Sequence, residues 1–155
     1  MIIVNDIIKA IESVAPLNWQ ESYDNAGLQV GGRFQSVSGA VVCLDVTEAV
    51  VDEAISMGYN LIVSHHPLLF KGLKSITGNS YVERIVIKAI QHNIAIYAAH
   101  TNLDNAPEGV SYRMARKLGL TSIRVLDPLC GRLIKLVTYV PCLLYTSDAA
   151  DDLIG

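Results

Sequence analysis

AVVCLDVTEAVVDEAISMGYNLIVSHHP, residues 40–67, sets two strand-like apolar runs around one helical run. Residues 40–46 are rich in β-branched valine and apolar except for Asp45, which predicts a strand covered on both faces. Thr47 offers a hydroxyl cap to the helix EAVVDEAISM, and Gly58 supplies its left-handed stop. Residues 60–64, NLIVS, predict a second strand. Moving outward, the same unit returns. After a long loop, HHPLLFKGLKSITG, the pair Ser80 and Glu83 forms a capping box that opens a helix ending near Asn93. Residues 94–99, IAIYAA, predict a third strand, HTNLDNAPEG a second polar loop, and 110–118 a helix closed by Gly119. Strand, helix, strand, helix, strand is the order that right-handed crossovers turn into a parallel sheet. The expected class is α/β, with a layered, mostly parallel sheet flanked by helices.

Toward the N-terminus, the spacing of Ile7, Ile8, Ile11, Val14 and Ala15 is helical, Asn5 can cap its start, and Pro16 denies it a further amide. A helix is therefore expected over 6–15, followed by the turn-rich stretch YDNAGLQVGG at 23–32. Toward the C-terminus, 122–126 predicts a fourth strand, and GRLIKLVTYVP at 131–141 begins another that leads into no helix. The last residues, CLLYTSDAADDLIG at 142–155, keep neither period. They resemble the conceptual translation of a transposon-type sequencing adapter. Residues 1–130 are thus expected to be an α/β half-fold and 142–155 a non-native tail, with the native protein continuing past Pro141.

Composition bounds the function. The chain has 155 residues, 51% hydrophobic and 17% charged, the proportions of one globular domain with a continuous core. A formal charge of -3 leaves no positive field to grip a phosphate backbone, so nucleic acid is disfavoured as a partner. Mean hydropathy is high, +0.35, yet polar residues interrupt every apolar stretch before the ~18 residues that a membrane span needs. Asp6 and Glu12 argue against a signal peptide. Cys43, Cys130 and Cys142 are odd in number and include no CxxC, which fits a reducing cytoplasm.

In an open parallel sheet, ligands sit outside the carboxyl ends of the strands. Those ends carry Asp45, then His65 and His66, then His100 and Asp104, so three of the four histidines share one rim. In extended backbone the rings of His65 and His66 are expected on opposite sides, since Pro67 keeps His66 out of the α region. Each ring can then serve one of two ions about 3.5–4 Å apart, with Asp104 bridging. Imidazole and carboxylate ligands without thiolate favour zinc, manganese or iron. The other reading is a hydrogen-bonded histidine turn without metal. His100 is expected to orient the bridging water or Asp104 from behind the ligands. Asp45 is expected to be a helix-capping acid, and Lys71 and Lys74 a solvated surface. His92 suits a helix C-terminus. Asp24 and Asn25 either reach the site mouth or form a structural turn. Gly31 and Gly32 lack the strand-to-helix context of a phosphate-binding loop.

The motifs YDNAGLQVGG, LDVTEAVVDEAI, SHHPLLFKGLKSI and AAHTNLDNAPEGV, in this order, resemble the GTP cyclohydrolase 1 type 2 homologues, also called the NGG-interacting-factor family. The resemblance covers about residues 1–140. It implies a dinuclear-metal hydrolase acting on a small-molecule, nucleotide-class substrate, with two divalent ions held in part by His65, His66 and Asp104. It also implies a toroidal homohexamer and a further histidine and glutamate, four residues apart, nearer the family's C-terminus. This chain has neither of those two residues. By the same resemblance it is the first half of a two-part fold, with residues 131–141 beginning an inserted α+β module. The competing class is a non-catalytic, metal-stabilised ring that acts as a regulator or scaffold.

Overall fold

Helix α1 (Val4–Val14) starts two residues before the sequence places it. Its first amides are taken by the loop that follows the first strand: Val4 N donates to Gln35 O at 2.9 Å and Asn5 N to Arg33 O at 2.8 Å. Asp6, in the first turn, accepts the Ile3 amide at 3.0 Å, so Asn5 is not the cap. Pro16 ends the helix as expected. The computed structural model describes residues 1–125, and its compact unit is Met1–Ile123. The expectations for 126–155 lie outside the described residues.

After a 3-10 turn at Leu17–Trp19, the remaining elements are β1 (Gly27–Val30), β2 (Ala40–Cys43), α2 (Glu48–Met57), β3 (Leu61–Ser64), α3 (Tyr81–Gln91), β4 (Ala95–Ala98), the single turn α4 (Thr101–Asp104) and α5 (Val110–Lys117). They form a four-stranded sheet in the order β1-β4-β3-β2. β2, β3 and β4 are parallel; β1 is antiparallel to β4. The fold class is α/β with a mostly parallel sheet.

Alternating residues face two cores, which is why the inner strands read as unbroken apolar runs. Ile62 and Ile96 meet α2 and α3 through Val51, Ala54, Ile85, Val86 and Ala89. Leu61, Ala95 and Tyr97 meet α1 through Val4 and Ile8. β2 departs from expectation. It ends at Cys43 rather than Val46, and Val42 is 80% exposed, because β2 is an edge strand beyond the reach of α1.

The strand β1 is hidden in the stretch read as turns, since four residues are too few for a period-2 signal beside five turn formers. Its far end is set by Gly31, at φ +93°. A Cβ there would lie 2.7 Å from Ala95 Cα, so only glycine lets the backbone pass β4. Residues 122–125 form no strand.

Candidate metal centre

The site follows from strand register. Cys43 lies opposite Ser64, and Ser64 opposite Ala98. Carried two residues onward, that register brings Asp45, His66 and His100 abreast at the carboxyl-end rim. His66 Nδ1 lies 2.8 Å from Asp45 Oδ1. Asp45 is therefore a partner of His66. The helix-capping role expected for it belongs to Thr47, whose hydroxyl accepts the Val50 amide at 3.3 Å.

His65 and His66 do not diverge. Their consecutive amides both donate toward β2, to Cys43 O at 3.1 Å and Leu44 O at 2.9 Å. A regular strand sends successive amides to opposite sides, so the pleat has already stopped and the side chains are not forced apart. The two ring centroids are 5.0 Å apart, and that of His100 is 5.3 and 5.7 Å from them. One ring nitrogen from each histidine lies within 4.8 Å of those of the other two.

Every Nδ1 of the trio faces an oxygen. His65 Nδ1 lies 2.9 Å from Ala99 O, His66 Nδ1 2.8 Å from Asp45, and His100 Nδ1 2.8 Å from Asp24 Oδ1. An acceptor at Nδ1 draws the proton of a neutral imidazole there and leaves Nε2 with its lone pair. That is the arrangement histidine ligands adopt when an outer oxygen orients them. Asp104 closes α4 with Oδ1 3.8 Å from His65 Nε2. The buried Asn102 pins this turn, accepting the His100 amide at 2.9 Å and donating to Ala15 O at 2.7 Å. Imidazole nitrogen with carboxylate oxygen is a donor set that fits zinc, manganese or iron.

Asp24 enters from far along the chain, its side chain wholly buried. Its Oδ1 also accepts the Asn25 amide at 2.7 Å, while Oδ2 accepts the Thr101 amide at 3.1 Å and the Thr101 hydroxyl. Burial pushes its carboxyl up. The bonds from the Thr101 hydroxyl, His100 and the two amides outweigh that and hold it below the ordinary aspartate range. The same segment ties both site loops together. Glu21 N donates to Thr101 Oγ1 at 2.9 Å, Asn25 Nδ2 to Leu69 O at 2.6 Å, and Leu69 N to Gln29 Oε1 at 2.7 Å. Lys71, Lys74 and His92 are exposed, and His92 is not part of the histidine cluster. Burial and the nearby Asp45 and Glu53 push the Cys43 thiol up, away from the reactive thiolate form.

Residues 2–151 match the family described as Duf34/NIF3 (NGG1p interacting factor 3). The chain belongs to that family. The GTP cyclohydrolase 1 type 2 homolog of Staphylococcus aureus (strain MRSA252) is 41% identical over 138 residues, which are 89% of this chain and 37% of that protein. The homolog of the same name from Clostridium perfringens is 40% identical over 124 residues, 80% of this chain and 47% of that one. A solved Bacillus cereus protein related to NIF3 superposes with a TM-score of 0.77 at 44% identity, over 82% of this chain and 35% of its own. The chain thus spans less than half the length of these Duf34/NIF3 relatives.

The two outer carboxylates of this Duf34/NIF3 site were differently accessible to sequence reasoning. Asp45 is readable once the β2–β3 register is carried past the strand ends. The bond from Asp24 to His100 spans 76 residues and carries no local signal.

Proposed function

We propose that the chain carries one half of a dinuclear metal centre in a hydrolase of the GTP cyclohydrolase 1 type 2 kind, acting on a small molecule of the nucleotide class. His65, His66 and Asp104 are its contribution to the ligand set. A histidine and a glutamate four residues apart, in the remainder of a full-length protein, supply the rest. The observation that carries this reading is the anchoring of each rim imidazole through Nδ1 to a carbonyl or carboxylate oxygen, which keeps Nε2 free to donate its lone pair. When bound, two divalent ions of zinc, manganese or iron would supply Lewis acidity and would lower the pKa of a water toward neutrality.

The chain's own residues do the arranging. Ala99 O and Asp45 fix the two adjacent rings, and Asn102 holds α4 so that Asp104 stays beside His65. In the assembled protein the same reading gives a cytoplasmic homohexamer. Among the described residues, no helix is long and apolar enough to cross a membrane.

The test is metal content and nucleotide hydrolysis by the full-length protein, with His65→Ala and Asp104→Ala as variants. Both variants are expected to stay folded and to lose turnover together with metal. Unfolding on metal removal, with no turnover in the intact protein, would establish a metal-stabilised ring without catalysis instead.

A further inference from the structure

His100 sits at the rim with its side chain 18% exposed and its Nδ1 directed at a carboxylate that solvent does not reach. The other partners of Asp24 are the Thr101 and Asn25 amides, which can only donate, and the Thr101 hydroxyl. Oxygens of Asp24 therefore act as acceptors, and Oδ1 requires a proton on Nδ1 of His100. A protonated Nδ1 on a neutral ring means a bare Nε2. We infer that Asp24 is a positioning residue: it locks His100 in the Nδ1–H tautomer, so that Nε2 stands as a proton acceptor beside His65 and His66.

The three histidine anchors differ in kind. Ala99 O belongs to the backbone next to β4, and Asp45 follows β2 two residues past its end as His66 follows β3, so both anchors leave the sheet directly. The Asp24 carboxylate comes from the loop before β1 and is held toward His100 by the backbone amides of Thr101 and Asn25. Its removal is expected to free one imidazole without touching a strand pairing. What Nε2 then accepts is a hydrogen bond from a proton-bearing atom of water or substrate, a step that rests on the proposed metal centre. The tautomer does not rest on it.

The experiment is a long-range 1H–15N correlation spectrum of the uniformly labelled full chain, with chelator present, at a pH where the imidazoles are neutral. In the unmodified protein the Nδ1–H form of His100 is expected to exceed the Nε2–H form by about tenfold or more, the weight of a hydrogen bond to a charged acceptor. In Asp24→Ala that excess is lost and Nε2–H becomes the major form. Thr101→Val removes a donor from Asp24 without touching the ring, so it lowers stability and leaves the tautomer unchanged. An Nε2–H majority in the unmodified protein overturns the inference, even if Asp24→Ala does not fold. So does an unaltered ratio in a folded Asp24→Ala. Failure to bind zinc, with the Nδ1–H form intact, defeats the metal reading alone.

Discussion

Two carboxylates in this protein are held by several hydrogen bonds, and they differ in how far along the chain their donors lie. Glu83 accepts from Ser80 Oγ at 3.1 Å and from Thr77 N, Thr77 Oγ1 and Asn79 N at 2.9, 2.9 and 3.1 Å. All are within six residues, and together they start α3. Asp24 accepts from Asn25 next door, but also from His100 and Thr101, 76 and 77 residues away. A cap built from neighbours stabilises one helix. A strut between distant segments fixes the geometry of a site. The distant kind is expected to be costlier to remove.

The sharpest break is made with glycine. Gly31→Ala meets both a left-handed φ and the backbone of Ala95, so strain of about 1–2 kcal/mol and overpacking of about 1–3 kcal/mol act together. Urea unfolding should show a loss of about 3 kcal/mol, with β1 released from the sheet. Gly58, at φ +67°, has no atom within 4 Å of an added Cβ, so Gly58→Ala should cost only the local strain of about 1 kcal/mol.

Next in size, Asp24→Ala strands the buried Thr101 amide and hydroxyl and should cost about 2–3 kcal/mol in the same measurement. Ser80→Ala removes the hydroxyl that caps α3 and should cost about 1 kcal/mol. If the two losses came out equal, the distinction between strut and cap would fail.

Acid sharpens the comparison further. Both carboxyls titrate lower in the folded protein than in the unfolded chain. Each therefore adds stability that is fully present above the unfolded value, about 3.9 for aspartate and about 4.3 for glutamate, and is lost as pH falls through the folded value. The hydrogen bonds from Thr77 hold Glu83 down to about 2, so its contribution should fade progressively from about pH 4 to pH 2. The stability gap between the unmodified protein and Asp24→Asn should be full at pH 6 and shrink below about pH 4. A gap that widens on acidification would contradict the sign.

How much was legible follows the same division. The parallel strands, the Ser80 cap of α3, the stop at Gly58 and the helix end at Pro16 all depend on neighbours, and each is readable from a few consecutive residues. Of the expected capping box only the Ser80 half forms, since the Glu83 carboxylate accepts from Thr77 and Asn79 and not from the Ser80 amide. The placing of His65, His66, His100 and Asp104 on one rim follows from strand order alone. Three things did not follow. β1 is too short to show a period, the pleat of β3 ends at His65, and the role of Asp24 depends on a pairing across 76 residues. Asp45 is not the helix cap, because the Thr47 hydroxyl takes that place and Asp45 pairs with His66.

The claim at the centre is that the rim between His65, His66 and Asp104 holds divalent cations. Anomalous diffraction at the zinc edge, from crystals of the protein grown with zinc, addresses it directly. The expected result is an anomalous peak within bonding distance, about 2.0–2.2 Å, of a His65 or His66 ring nitrogen and of an Asp104 oxygen, and its loss in His65→Ala. Zinc bound only elsewhere, or a rim peak untouched by that substitution, would contradict it.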